Sequence, residues 1–459
     1  MKNQQIPPLI SRAQQYGSIP GLDTIKALLR EMGNPQEKLK IIHIAGTNGK
    51  GSIASFCQGM LLENDYNVGL FTSPYFADPR EMIQDNRELI SKKDFENALG
   101  IVEKAVGKML QKGKPHPTEF EIYVAVAFYY FTRLPMDFLI LEVGLGGRED
   151  ATNVIDKPLL SIISQIGLDH TRYLGHTLKE IADHKGGIIK EGIPVIIYPQ
   201  EKEAKEVLQN IAAKCKSPVY SFNPNQLVIH NSSLQEQCFS ADFTPSLSAS
   251  LKNQLPLDSF SNATYSKVRI RLSGKHQVLN AATALLGMKV LQSHHSIPLT
   301  TEKMLKGLFA SKWPGRFEII GHHPLTVVDG AHNVAAAKSL ADTIKTHCSH
   351  YSITLLLGML EDKDVDGFLF QIMPLVDRVV LTKPLNPRAL DPIQLKEKLH
   401  EFGGEILLEP SISKASLKAL EMTSPSGMLL GVGSLYMIGK AREILLEHFN
   451  SLRSSSEQR

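Results

Sequence analysis

Charge of one sign, tryptophan, cysteine and long apolar runs are all scarce in this chain, and each scarcity removes a class of protein. Fifty Lys plus Arg stand against 47 Asp plus Glu, a formal net charge of +3. That near balance speaks against a nucleic-acid or membrane-surface specialist, while leaving room for a local basic site for a phosphorylated ligand. No stretch reaches the ~18 uninterrupted apolar residues of a membrane helix. The opening MKNQQIPPLISRAQQYG has neither the apolar centre of a secretory signal nor an Arg-rich transit pattern. The four cysteines, Cys57, Cys215, Cys238 and Cys348, are far apart, with no pair at metal-ligand spacing. Scattered thiols in a long chain fit a reducing cytosol and ordinary packing roles. With 42% apolar and 21% charged residues the composition is that of a folded globular protein, which excludes a disordered one.

At ~150 residues per domain, 459 residues allow two or three domains. Short apolar runs alternate with helical patterns, the signature of α/β layers on a largely parallel sheet. Strands are expected at 39–45, 67–71, 138–141 and 159–166, with 194–198 extended. Helices are expected from the end of the Gly-rich turn to about residue 64, and at 119–133, 178–190 and 278–291. Between 222 and 267 Ser, Asn and Pro become dense, as in an insertion or small β-subdomain. The alternation restarts with candidate strands at 325–328, 353–357, 378–381 and 428–430. We therefore expect a first domain over 1–296 and a smaller one over 297–459, with a frayed tail at SLRSSSEQR.

The strongest local signal is IIHIAGTNGKGS, Ile41 to Ser52. An apolar strand runs into Gly46-Thr47-Asn48-Gly49-Lys50-Gly51-Ser52, and a helix follows. Glycines let successive N–H groups turn toward a phosphate, the helix N-terminus adds partial positive charge, and Lys50 adds a full one. Ser52 is placed to offer its hydroxyl to phosphate or magnesium. The match to G-x-x-x-x-G-K-[ST] is imperfect, because Ile44 stands at the first glycine and Gly51 separates lysine from serine.

Glu142 follows the strand at 138–141 and precedes Val143-Gly144-Leu145-Gly146-Gly147-Arg148, where such folds place a magnesium ligand. The next strand leads to Gly167-Leu168-Asp169-His170, and the second ends at Thr72-Ser73-Pro74. Ser73, Glu142 and His170 thus become candidates at one sheet edge, although singly each would read as a loop residue. Lys185 lies within the apolar face of its helix, with Leu178, Ile181, Ala182, Ile188 and Ile189. A buried lysine loses pKa and can take up carbon dioxide as a carbamate; the plainer alternative is that it snorkels to solvent.

IHIAGTNGKGS, TSP at 72–74, EVGLGGREDATN at 142–153 and IGLDHTRYLGHTLKEIADHKGGIIKEG at 166–192 resemble the folylpolyglutamate synthase/dihydrofolate synthase family, the folate branch of the Mur-ligase superfamily. The likeness continues through GKHQVLNAATAL, PGRFE, DGAHN and NPRAL, and runs from YGSIPGL to GSLYMIGKAR. It implies a P-loop-containing Mur-ligase-like parallel-sheet domain followed by a smaller Rossmann-like α/β domain. It implies ATP-dependent addition of L-glutamate to a reduced folate through an acyl phosphate, in a cytoplasmic monomer with no nucleic-acid or membrane partner. By motif, Thr47, Asn48, Gly49, Lys50, Gly51 and Ser52 would bind the phosphates, and Asn280 the adenine. Arg316, Asp329 and His332 would close on the nucleotide. Ser73, Glu142 and His170 would hold Mg2+, with a carbamylated Lys185 behind it; Lys50, Lys185 and His170 would be the catalytic groups. Asp329 and His332 read unaided could be turn residues after a strand.

Departures from the family pattern are Tyr75-Phe76, where His-Leu is usual, Met82 for Arg, Glu149 before Asp150, and His184 beside Lys185. The loop carrying Tyr75 and Met82 is expected near the pterin. There Tyr75 would offer an aromatic face and Met82 would remove a guanidinium, favouring folylpolyglutamate synthesis over dihydrofolate synthesis. Two other readings compete. A peptidoglycan-precursor ligase would be expected to carry an extra N-terminal domain, and only about forty residues precede the phosphate loop. A non-catalytic folate- or nucleotide-binding paralogue would be expected to lack Lys50, Glu142 or His170.

Overall fold

A computed structural model describes residues 7–17, 20–243 and 263–457. The first lobe is built on eight strands: β1 (Ile41–Ala45), β2 (Val68–Phe71), β3 (Ile83–Asp85), β4 (Glu88–Leu89), β5 (Phe138–Glu142), β6 (Leu160–Ile163), β7 (Val195–Ile197) and β8 (Val219–Tyr220). Their order is β4-β3-β2-β5-β1-β6-β7-β8, parallel from β2 to β8 with an antiparallel hairpin at one edge. β1 is buried along its whole length, which explains why it is apolar except for His43: both faces are covered by helices. Helix Lys50–Glu63 is buried all round from Gly51 to Leu61, and lies in one core with Lys275–His295. The other face carries Lys92–Gln111 and Glu119–Phe131. Thr118 and Glu121 start the latter with a reciprocal cap, and it contributes the fully buried Phe128 and Phe131, each worth ~2–3 kcal/mol of transfer free energy.

Because β1 lies between β5 and β6, with Ile44 opposite Glu142 and Ala45 opposite Ile163, the loops leaving these strands emerge side by side. β2 pairs with β5 from the other side, Phe71 opposite Leu141, and adds the Ser73 loop. Three further strands, β9 (Leu227–Ser232), β10 (Gln237–Asp242) and β11 (Thr264–Ile270), form a small antiparallel sheet. The Ser/Asn-rich stretch, expected as an insertion or small β-subdomain, does contain antiparallel paired strands, while its residues 244–262 lie outside the described residues.

The second lobe holds β12 (Glu318–His322), β13 (Leu325–Val328), β14 (Ile353–Leu357), β15 (Arg378–Leu381), β16 (Glu405–Leu408) and β17 (Met428–Val432), in the order β12-β13-β17-β14-β15-β16. All pairs are parallel except β12–β13. Helix Thr301–Ala310 does not belong to this lobe, although a division at 296/297 would put it there. It crosses helix Lys50–Glu63 at a glycine pair: a Cβ on Gly307 would collide with the Gly59 carbonyl. Ser55 Oγ also donates to the Lys312 carbonyl at 2.9 Å, so the chain leaves the first lobe only after residue 312. Residues 451–457 of the expected tail are instead the last turns of helix Leu435–Glu457, while 458–459 lie outside the described residues. Among the described residues no helix is long and apolar enough to cross a membrane.

Candidate active site

The turn after β1 needs glycine twice. Gly46 and Gly49 have φ of +148° and +88°, and a Cβ on Gly49 would stand 2.5 Å from Asn280 Oδ1. The turn is tied to the loop after β6: Thr47 and Asn48 N–H donate to the Gln165 carbonyl at 2.8 and 3.2 Å, and Thr47 Oγ1 to that of Gly167 at 3.0 Å. Gly51 faces Trp313, whose Nε1 would be 2.7 Å from an added Cβ. Ser52 Oγ is buried with no hydrogen-bond partner, an orphan hydroxyl at the start of a helix, where phosphate or its metal would satisfy it.

Two lysines converge on one acceptor. Lys50 Nζ donates to the Gly46 carbonyl at 3.1 Å and to that of Thr47 at 3.3 Å, and lies 3.8 Å from Glu142 Oε1. Lys185 Nζ donates to the same Gly46 carbonyl at 2.8 Å. Only 4% of Lys185 is exposed, so the snorkelling alternative does not hold. Burial, then Lys50, brings its pKa down to about 7. Burial pushes Glu142 up to about 7 against the pull of Lys50, Arg316 and the Ser73 N–H. His170 sits at φ +50°; burial, then Lys363, lowers it to about 4 despite Asp169, so its imidazole is neutral and has a lone pair to give.

The second lobe closes this edge through Asp169. That carboxylate accepts from Lys363 Nζ at 2.6 Å and from Asn333 Nδ2 at 2.9 Å, with His332 Nε2 at 3.4 Å. Burial pushes the Asp169 carboxyl up, but His332, Lys363 and His170 outweigh it and hold it far below the usual carboxylate range. Asn333 Nδ2 also donates to Asn48 Oδ1 at 3.0 Å, tying the phosphate turn to the second lobe. Asp329 accepts Phe317 N–H at 2.6 Å and Ala331 N–H at 2.8 Å. His332 Nδ1 lies 2.8 Å from the Gly330 carbonyl. Both residues therefore shape the turn after β13 as well as facing the cleft.

Every residue assigned from the sequence to nucleotide, metal or catalysis lines this one interlobe cleft: Thr47 to Ser52, Ser73, Glu142, His170, Lys185, Asn280, Arg316, Asp329 and His332. The sequence reading missed Asp169, Asn333, Lys363 and Trp313. Asp169 and Asn333 stand inside quoted motifs without having been given a role, but Lys363 carries no local signal, because its partner is 194 residues away. Met82 is a correction. It is 2% exposed and belongs to the first lobe's core, since its thioether turns inward at the end of a short turn before β3. It does not line the interlobe cleft, and no acceptor preference rests on it. Tyr75 stays half-buried with its ring edge-on to Tyr123 at 6.3 Å, and burial pushes its phenol up to about 12. Glu149 is exposed, and the His184 carbonyl receives the Arg148 N–H at 2.8 Å.

Among the described residues no three His, Cys, Asp or Glu side chains form a metal cluster. The donors that fit a hard cation here are the Ser73 hydroxyl, the Glu142 carboxylate and the neutral His170, which suits an ion completed by water and phosphate oxygens.

The Mur ligase middle domain family matches residues 44–288, and the Mur ligase, glutamate ligase domain family matches 315–435. The chain is 36% identical over 441 residues to a dihydrofolate synthase/folylpolyglutamate synthase of Bacillus subtilis, covering 94% of this chain and 96% of that one. It is 35% identical to a folylpolyglutamate synthase of Lacticaseibacillus casei, over 92% and 94% of the two chains. Folylpolyglutamate synthase of Mycobacterium tuberculosis, solved with ADP and AMPPCP, superposes with a TM-score of 0.82 at 28% identity, covering 95% of this chain and 98% of that one.

Proposed function

Since the chain belongs to the folylpolyglutamate synthase/dihydrofolate synthase family of Mur ligases, we propose that lengthening the glutamate chain of reduced folates is its main activity, with dihydrofolate synthesis weak or absent. ATP-dependent joining of L-glutamate to folates is the activity of the chain; the preference between acceptors is our reading. The γ-phosphoryl group of ATP passes to a folate carboxylate oxygen, and the bond to the departing ADP breaks. The glutamate amine then attacks the acyl carbon, a C–N bond forms, phosphate leaves and the amine proton passes to solvent. Such chemistry depends mainly on positioning and charge neutralisation.

The observation that carries the residue roles is the convergence of all the motif residues on one cleft. Lys50 and the N–H groups of Thr47 to Ser52 take the β- and γ-phosphates, Asn280 the adenine, and Arg316, Asp329 and His332 the far side of the nucleotide. Ser73, Glu142 and His170 are the side chains that would hold Mg2+, which supplies positive charge against the phosphates when bound. Lys185 is carbamylated: two amino groups sharing the Gly46 carbonyl crowd positive charge, and converting one to an anion relieves it. A lysine brought down to about 7 also offers the free amine that carbon dioxide needs. Tyr75, at the mouth of the Ser73 loop, supports the acceptor reading by offering an aromatic face. We divide the chain at 312/313, and propose a cytoplasmic monomer, consistent with four free cysteines.

Purified protein with ATP, magnesium and glutamate, and either tetrahydrofolate or dihydropteroate, tests this. We expect glutamate-dependent ADP release with higher kcat/KM on tetrahydrofolate. Equal or higher efficiency on dihydropteroate overturns the preference, and no glutamate-dependent ADP release points to a non-catalytic paralogue.

A further inference from the structure

The loop that follows Ser73 crosses to the second lobe and plugs into it. A Cβ on Gly315, whose φ is +67°, would stand 2.8 Å from Phe76 Cζ, and one on Gly439 would stand 2.6 Å from Phe76 Cβ and 2.9 Å from its carbonyl oxygen. Phe76 thus spans two glycines, with its ring against the one just before Arg316 and its Cβ and backbone against the one in helix Leu435–Glu457. Neither position tolerates a side chain while the ring is seated.

Both halves of this joint are braced. On the plug side, the Glu81 carboxylate gathers the N–H groups of Phe76, Ala77 and Asp78 at 2.7, 3.2 and 3.0 Å. On the socket side, Glu318 accepts the Gly315 N–H at 2.9 Å and takes Arg442 through two hydrogen bonds of 2.8 and 2.7 Å. Arg442 lies one turn beyond Gly439, so Glu318 ties the two walls of the socket together. Glu81 thus holds the loop that carries Phe76, and Glu318 holds the two walls that receive it.

We infer that Phe76 is a positioning residue: seated between Gly315 and Gly439, it fixes the Ser73 loop of the first lobe against Arg316 of the second. The inference rests on the assignment of Ser73 and Arg316 to opposite sides of a bound nucleotide. A nucleotide that must touch both lobes binds in proportion to the fraction of molecules whose lobes are correctly set. Emptying the socket lowers that fraction without removing any group that touches ATP.

The test compares Phe76→Ala, Phe76→Leu and Gly439→Ala with the parent enzyme. The readouts are affinity for a non-hydrolysable ATP analogue, KM and kcat for ATP, and the thermal midpoint. For Phe76→Ala we expect affinity to weaken and KM for ATP to rise about tenfold, with kcat within about threefold. Phe76→Leu, which refills the socket with a smaller apolar group, restores most of the loss, and Gly439→Ala reproduces it by displacing the loop. Parent-like affinity and KM in Phe76→Ala overturn the inference, as does a loss that follows the thermal midpoint and spares KM. If the parent binds the analogue but releases no ADP, the ligase reading fails, and the affinity series still decides the role of Phe76.

Discussion

Lys50 and Lys185 share the Gly46 carbonyl, an arrangement that makes sense only with negative charge close by. Removing either Lys50 or Glu142 should therefore disable phosphoryl transfer: Lys50→Ala and Glu142→Ala are each expected to lower turnover by at least ~100-fold. Both should keep a parent-like thermal midpoint, since each side chain ends in the cleft rather than in a core. Glutamate-dependent ADP release checks this, and near-normal release from either folded variant sinks the assignment. For Lys185 the expected state is the carbamate. Electron density for a bare ammonium in metal-bound, active crystals would count against it; mass spectrometry would not, because carbamates are lost in acid. His43 lies outside this chemistry but contributes to acid stability. It is fully buried in β1 with Nε2 2.9 Å from Thr152 Oγ1, and burial, then Lys190, lowers its pKa to about 3. Between the ordinary histidine pKa near 6.5 and that value, the unfolded chain binds a proton that the folded chain refuses. Stability from this group is therefore intact above pH ~6.5 and falls as pH drops, by up to ~1.4 kcal/mol per unit. Urea denaturation of the parent and of His43→Gln at pH 7, 6, 5 and 4 should show a shallower acid slope in the variant.

At the scale of elements, the phosphate turn and helix Lys50–Glu63 are shaped as much by what presses on them as by what they bind. Gly51 is hemmed in by Trp313, so Gly51→Ala should push the turn or the indole aside. Overpacking of that kind typically costs ~1–3 kcal/mol, and we expect ATP affinity to fall about tenfold or more; calorimetric titration with the ATP analogue checks it. The turn was legible in the sequence because glycine, lysine and a preceding apolar run are local signals. Strands β13, β14 and β15 match the expected bounds for the same reason: they are buried along almost their whole length and are apolar but for Thr326, Thr354 and Arg378. β12 and β16, at the two edges of that sheet, were not legible. Half-exposed edge strands need no such run, and Glu318 and His322 or Glu405 look like loop residues. The helix Lys92–Gln111 was legible too, because Phe95, Ala98, Leu99, Val102, Ala105, Val106 and Met109 recur at helical spacing, but the reading did not pick it out. Met82 misled because a motif position was read as a pocket position, whereas the turn that carries it aims the side chain at the core. Lys363 could not be found at all, since nothing in its neighbourhood reveals a partner in the other lobe.

For the molecule as a whole, the lobes meet through the Phe76 joint and, at the site, through polar groups that include the Asp169–Lys363 pair, whose side chains are 7% and 6% exposed. Lys363→Met should leave a buried carboxylate short of charge compensation and destabilise the protein by about 2–4 kcal/mol, measured by urea denaturation at neutral pH. Adding Asp169→Asn should recover part of that loss. A parent-like midpoint in Lys363→Met would mean that the pair contributes nothing to lobe packing. Trp313, the chain's one tryptophan, stands where the first lobe hands over to the second and faces the turn expected to hold the phosphates. The protein thus carries a built-in optical gauge. Excitation at the red edge of indole absorption reaches this residue while sparing the tyrosines, so a change in emission as ATP is titrated into unlabelled protein would report motion at the nucleotide turn itself, separately from catalysis.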